Sequence, residues 1–157
     1  MLNVLLHTNG GVDGRWAAEG EAGDLALLRV PFASFSDGRD SAPAAAYHRL
    51  PKAAGLAVQN RYVGAFLRYG GDSGWHTPPS VPESRVDAVH YAQGEVYELP
   101  LSHSVDRLAA LGGNALVVGR DRRDLQFTSI RLSRLPVTVG RYVRQDAVPG
   151  ASCAARR

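Results

Sequence analysis

The sequence predicts an all-β protein built from antiparallel sheets of about four strands each. Three observations carry this expectation. Short runs rich in β-branched and aromatic residues recur along the chain. Clusters of Gly, Pro, Asp and Ser separate them at close spacing. Helical periodicity is nearly absent: Val105 to Leu111 is the one candidate, and it spans only seven residues before Gly112-Gly113, too short for a helix that stands alone.

The elements follow in order. Asn3 to His7 is a short apolar run, and Leu25 to Val30 leads through Pro31 into Phe32 and Phe35. Ala45 to Leu50 ends at Pro51, and Arg61 to Tyr69 is rich in aromatic and β-branched residues. Val86 to Tyr91 and Glu95 to Leu99 flank Ala92-Gln93-Gly94, a hairpin connection with a glycine free to take positive φ. Ala115 to Val118, Leu125 to Leu132 and Pro136 to Val143 complete the set. In Leu125, Phe127, Ile130 and Leu132 the alternation slips once between Phe127 and Ile130, which predicts a bulge there.

Composition bounds the function classes. At 157 residues, 45% hydrophobic and 21% charged, the chain has the make-up of one globular domain. No apolar run approaches the length of a membrane-spanning helix. Met1 to Thr8 lack the basic start and apolar run of a secretory signal, and nothing else in the sequence assigns a compartment. The lone Cys153 forbids an internal disulfide and a cysteine-rich zinc site. The net charge is +3, from 18 basic and 15 acidic residues, and Lys52 is the only lysine. The arginines are spread along the chain with carboxylates between them, so a nucleic-acid-binding surface is not expected.

The sequence also resembles itself. Leu25–Val30, Val86–Tyr91 and Leu125–Leu132 are each followed by a turn and a further strand-like run. The run Tyr47-His48-Arg49-Leu50-Pro51 returns, one residue shorter, as Tyr97-Glu98-Leu99-Pro100. Four short strands within some 42 to 50 residues is the size of one propeller blade. On this period and strand count, residues 2–143 resemble the β-propeller repeat proteins of WD40- and Kelch-like architecture, although the chain has no Trp-Asp dipeptide and no Gly-His pair.

The resemblance implies repeats at about 2–51, 55–100 and 105–143 within a domain of residues 1–146, and a disordered tail over 147–157. The first repeat would hold strands 2–8, 24–35 and 45–50. The second would hold 55–59, 61–69, 85–91 and 95–100, and the third 105–111, 114–119, 124–132 and 136–143. A closed propeller has at least four blades, so the chain reads as an incomplete β-propeller: a piece of a longer one, or a subunit that self-associates through open blade edges. The alternative all-β reading is a β-sandwich or barrel of about ten strands.

Three loops would join second to third strands on one face of such an array. Asn9 to Trp16 and Tyr69 to Trp75 each hold Gly-Gly, then an Asp, then a Trp; the third, Gly119 to Arg123, is shorter. Asp13, Trp16, Asp72, Trp75, Arg120, Arg122 and Arg123 are therefore the candidate ligand-binding residues, since Trp and Arg anchor interfaces and loops on rigid scaffolds carry function. The other reading folds each Trp over its own sheet and leaves the glycines to the turns.

No catalytic constellation emerges. Gly71-Asp72-Ser73-Gly74 matches the nucleophile tetrapeptide of chymotrypsin-like proteases, but His48 is too close upstream to lie on a preceding barrel, and Trp75 stands where that family has glycine. His7, His48, His76, His90 and His103 show no zinc spacing, and the Asp37–Asp40 stretch lacks the acidic twelfth position of a calcium loop. No cofactor or metal is expected. The functional expectation is a non-catalytic binding or scaffold module that holds a protein, a glycan or a small anionic ligand on its loop face, with no membrane partner. The alternative is part of a propeller enzyme, a hydrolase or oxidoreductase completed by further blades, in which Asp24, Asp87 and Asp124 at the third strands would line the site.

Overall fold

A computed structural model describes residues 1–8, 21–55, 57–72, 84–121 and 123–147, with Ala57 and Asp72 described in their backbone alone. The fold is all-β, and among the described residues there is no α-helix. The chain divides into two compact units, Met1–Lys52 with Tyr91–Glu95, and Ala53–His90 with Val96 onward. Its described strands form three antiparallel sheets and no barrel.

The first unit carries a three-stranded sheet: β1 (Leu2–His7), β2 (Leu25–Val30) and β3 (Tyr47–Leu50), in that order. Leu28 pairs with Val4 and Tyr47, and Leu27 with Leu5 and His48. Apolar residues therefore occupy both faces, as they do in sheets covered on two sides. The strand expected over 24–35 ends at Val30. Pro31 has no N–H to give the ladder, and the chain turns into a 3-10 helix over Phe32–Ser36, with a second over Ala44–Ala46. Both turns begin directly after a proline, whose fixed φ suits a helical entry.

The second unit carries two four-stranded meanders. One is β4 (Ala57–Val63), β5 (Phe66–Asp72), β6 (Arg85–His90) and β7 (Glu95–Pro100); the other is β8 (Arg107–Leu111), β9 (Asn114–Asp121), β10 (Asp124–Arg131) and β11 (Val137–Arg144). Their facing sides share one core of Phe66, Val86, Ala88 and Leu99 with Val105, Leu108, Ala115, Val117 and Ile130. β4 and β8 run close to each other.

Two expectations need correction here. The break placed at Asn60 is absent: β4 runs through it, and the turn is Gly64-Ala65, with Val63 opposite Phe66. Gly64 takes φ +56° while Ala65 does not take positive φ, which suits a two-residue hairpin of the type that wants glycine first. The strand expected over 105–111 is present and begins at Arg107. The slip read into Leu125–Leu132 is not on that strand. β10 pairs with β9 without interruption, and the extra residue, Val139, sits on β11 between Thr138 and Gly140. Leu125 and Phe127 therefore face one side of the sheet and Ile130 the other. Ile130 is buried, whereas Leu125 and Phe127 are half-buried beside the exposed Tyr142.

Three glycines of the expected loops, Gly70, Gly71 and Gly119, also prove to be strand residues. Gly70 and Gly71 lie in β5 and Gly119 in β9, and another backbone crosses Gly71 and Gly119. A Cβ on Gly71 would meet the Ala54 carbonyl oxygen at 2.1 Å, and one on Gly119 would meet that of Ser104 at 1.7 Å. Both are the sixth residue of their sheet's second strand, and both are crossed by the segment that leads into the sheet's first strand. Gly119→Ala forces that segment away and should destabilise the protein by about 3 kcal/mol or more in urea unfolding. Gly113→Ala, where a Cβ meets nothing within 4 Å, should leave the midpoint nearly unchanged.

Candidate functional site

The residues singled out on the loop face separate into two groups. Asp13, Trp16, Trp75 and Arg122 lie outside the described residues, as does the tail from residue 148. Asp72 is the last residue of β5. The structure does place Arg120 and Arg123, at either side of the β9–β10 turn. Arg120 donates through Nε to Asp106 at 2.9 Å. Arg123 is largely exposed and lies 3.4 Å from Asp146. A cleft of about 390 Å³ opens between Asp121, Arg123, Asp124 and Asp146. Arg120 and Arg123 thus each have a carboxylate partner.

Arg120 belongs to a polar clasp. Ser104 N–H donates to the Arg120 carbonyl at 3.0 Å, Arg120 N–H donates to Ser104 Oγ at 2.9 Å, and Ser104 Oγ–H donates to Asp106 at 2.7 Å. His103 is buried beneath it. Its Nδ1–H donates to the Ser104 carbonyl at 2.8 Å, which leaves Nε2 to accept from the Thr128 hydroxyl at 2.7 Å. Burial holds this imidazole below the usual histidine range, so the ring is neutral at pH 7. These bonds hold residues 103–106 against β9 and β10.

The three aspartates considered as site carboxylates occupy unlike places. Asp24 accepts from Glu21 N–H at 3.0 Å and lies 3.2 Å from Lys52, and these contacts hold its carboxyl below the ordinary value. Asp124 accepts from Asp146 N–H at 3.1 Å at a turn. Asp87 sits inside β6 rather than at its start, opposite Tyr69, with no exposed surface. Burial pushes the Asp87 carboxyl up to about 6, although Arg85, 3.1 Å away, pulls it down. The Arg85 guanidinium is part-exposed and keeps its charge, so desolvation of the carboxylate outweighs the pair's attraction. Among the described residues no three His, Cys, Asp or Glu side chains are placed to share a metal ion.

A second cleft, also about 390 Å³, lies within the first unit, and none of the candidate residues lines it. Its floor is the face of β1–β3 that presents Leu2, Leu28, Val30 and Tyr47. Its wall is the connection from β2 to β3, which supplies Ser34, Phe35, Pro43 and a charged rim of Asp37, Arg39 and Asp40. The wall braces itself: Ser34 N–H donates to the Pro31 carbonyl, Ser36 Oγ to the Ala33 carbonyl, and Arg39 N–H to Asp37 Oδ1 at 2.9 Å. Phe35 is 67% exposed at its edge. The sequence signal was the unexplained pair Phe32 and Phe35 beyond Pro31 in a segment read as strand.

No known protein family, curated protein or solved structure matches this chain.

The Asp87 environment has a measurable sign. Its folded-state pKa lies above the unfolded value, so the folded protein takes up the proton first as pH falls. Stability contributed by Asp87 is therefore present at pH 4 and lost as pH rises toward 6. Relative to wild type, Asp87→Asn should remove a fall of roughly 2–3 kcal/mol between those pH values in chemical denaturation. His103 contributes the opposite slope, with stability lost as pH drops below the unfolded histidine value, and the variant retains it.

Proposed function

We propose that this chain is a non-catalytic binding or scaffold module of β-propeller type, its three sheets acting as blade-like units. Its first sheet holds a segment of a partner protein in the cleft between the sheet face and the β2–β3 connection. One observation carries this reading: an aliphatic floor of Leu2, Leu28 and the largely buried Val30 lies beneath a wall that is already braced by its own hydrogen bonds.

Physical chemistry supports it in three ways. The volume falls in the range that binding clefts occupy and accepts one or two apolar side chains. A wall fixed by local bonds loses little entropy on binding, so contact area converts to affinity with less loss. The rim mixes Asp37, Arg39 and Asp40, which gives a polar border around an apolar centre, the usual anatomy of a protein interface. Phe32 and Phe35, both 67% exposed, stand as anchors beside it.

Selection from a displayed dodecapeptide library tests the reading. Peptides with one or two large apolar residues should be enriched. Phe35→Ala and Tyr47→Ala should each weaken the selected peptides by about tenfold or more while leaving the melting temperature close to wild type. Peptides that bind both variants as well as wild type, or no enrichment at all, would refute the assignment.

A further inference from the structure

Arg68 is the most anomalous side chain in the molecule. It lies in β5 and has no exposed surface, and its Nε, Nη1 and Nη2 have no hydrogen-bond partner among the described residues. It lies opposite Arg61 on β4 and Ala88 on β6. The register places it on the face that bears Phe66, Val86 and Ala88, the apolar side of that sheet. Along this face β4 contributes Gln59, Arg61 and Val63, β5 contributes Phe66 and Gly70, and β6 contributes Val86 and His90. None of these is a carboxylate; the acidic residue that the register puts on this face of β5 is Asp72, four residues along the strand from Arg68 at its end.

The charge is not relieved by deprotonation. Burial, and to a lesser extent the neighbouring Arg61, bring the Arg68 guanidinium down to about 10, which leaves it protonated at pH 7. A buried cation with five unmet N–H donors, beside a second cation, is one of the least favourable arrangements a core can hold. The buried Asp87 on the neighbouring strand β6, by contrast, has Arg85 at 3.1 Å. The arrangement at Arg68 has a simple remedy, a small anion that takes both charges.

We propose that Arg68 and Arg61 form a binding site for a small oxyanion, a phosphate or carboxylate group, at the β4 side of this sheet. The planar guanidinium fork of Arg68 matches two oxygens of such a group, and Arg61, exposed on the outermost strand, marks the side from which it enters. Enclosure makes the site selective: an oxyanion that accepts several N–H bonds is held, whereas chloride at the same ionic strength is not. This site is separate from the cleft on the first sheet, and neither reading depends on the other.

Inorganic phosphate and acetate, titrated separately against chloride at constant ionic strength, test it. The melting temperature should rise saturably with at least one of them, and the tighter of the two names the group. The same titration should shift the Arg68 Hε resonance in NMR spectra of the wild-type protein, a readout that needs no variant. Arg61→Gln should weaken binding by about tenfold, and Arg68→Lys, which keeps the charge but loses the fork, by about the same or more. Arg68→Met should abolish the response. A melting temperature and an Hε signal indifferent to both anions would overturn the site, as would a full response in Arg68→Met.

Discussion

Two backbones meet at Gly119 at a distance no side chain would permit, and much of the second unit is organised by that meeting. With only hydrogen on Gly119, the Ser104 carbonyl can lie against β9. From there Ser104 and Asp106 bond back to Arg120 and Val118, so the ladder between β8 and β9 begins before β8 itself does. The same approach places the His103 ring under the crossing, where Thr128 and the Ser104 carbonyl use both of its nitrogens. Val105, carried inward by this segment, joins the core shared by the two four-stranded sheets. A close contact of this kind does not tolerate small adjustments, because a packed interior has no slack to absorb them.

Most strands could be read from the sequence, for a plain reason: β-branched and aromatic runs between turn residues are a local signal. What stayed hidden was set by tertiary contact. Gly70-Gly71 looks like a loop in one dimension, and only the crossing of Ala54 and Gly55 explains why strand residues should be glycine. Alternation fails as a guide where both faces of a sheet carry apolar side chains. Leu125, Phe127 and Ile130 seemed to need a slip on their own strand, yet the irregularity belongs to the neighbouring β11. The β2–β3 connection was read as strand past Pro31, so the cleft it encloses had no sequence counterpart. Arg68, in a run that reads Phe-Leu-Arg-Tyr, looks like an outward-facing residue of an amphipathic strand, and nothing local distinguishes it from Arg61. The candidate site was correspondingly less legible than the fold. Of the residues chosen for it, Arg120 serves the clasp, and several others fall outside the described residues.

The two proposed binding sites are chemically opposite. The cleft on the first sheet is aliphatic with a charged rim, and its affinity would come from area removed from water. The Arg68 region is charged within an apolar surround, where each hydrogen bond to an anion is worth more than it would be in water. A scaffold of short antiparallel strands suits both, because its rigidity is set by the ladders while its connections remain free to differ. Lys52, the sole lysine, plays no part in either place. It spans Glu21 and Asp24 and fastens the approach to β2.

The eight residues of β11 are exposed along their whole length, and Val137, Val139, Tyr142 and Val143 are among them. The strand is joined to the rest by its bonds to β10 and by Asp146 at the β10 turn, with little buried area behind it. Native proteins open locally where burial is least. Amide protons of β11 should therefore exchange with solvent well before those of β9 and β5, through an opening that leaves the shared core intact. The last sheet is thus graded from a slow-exchanging centre to a fast-exchanging border.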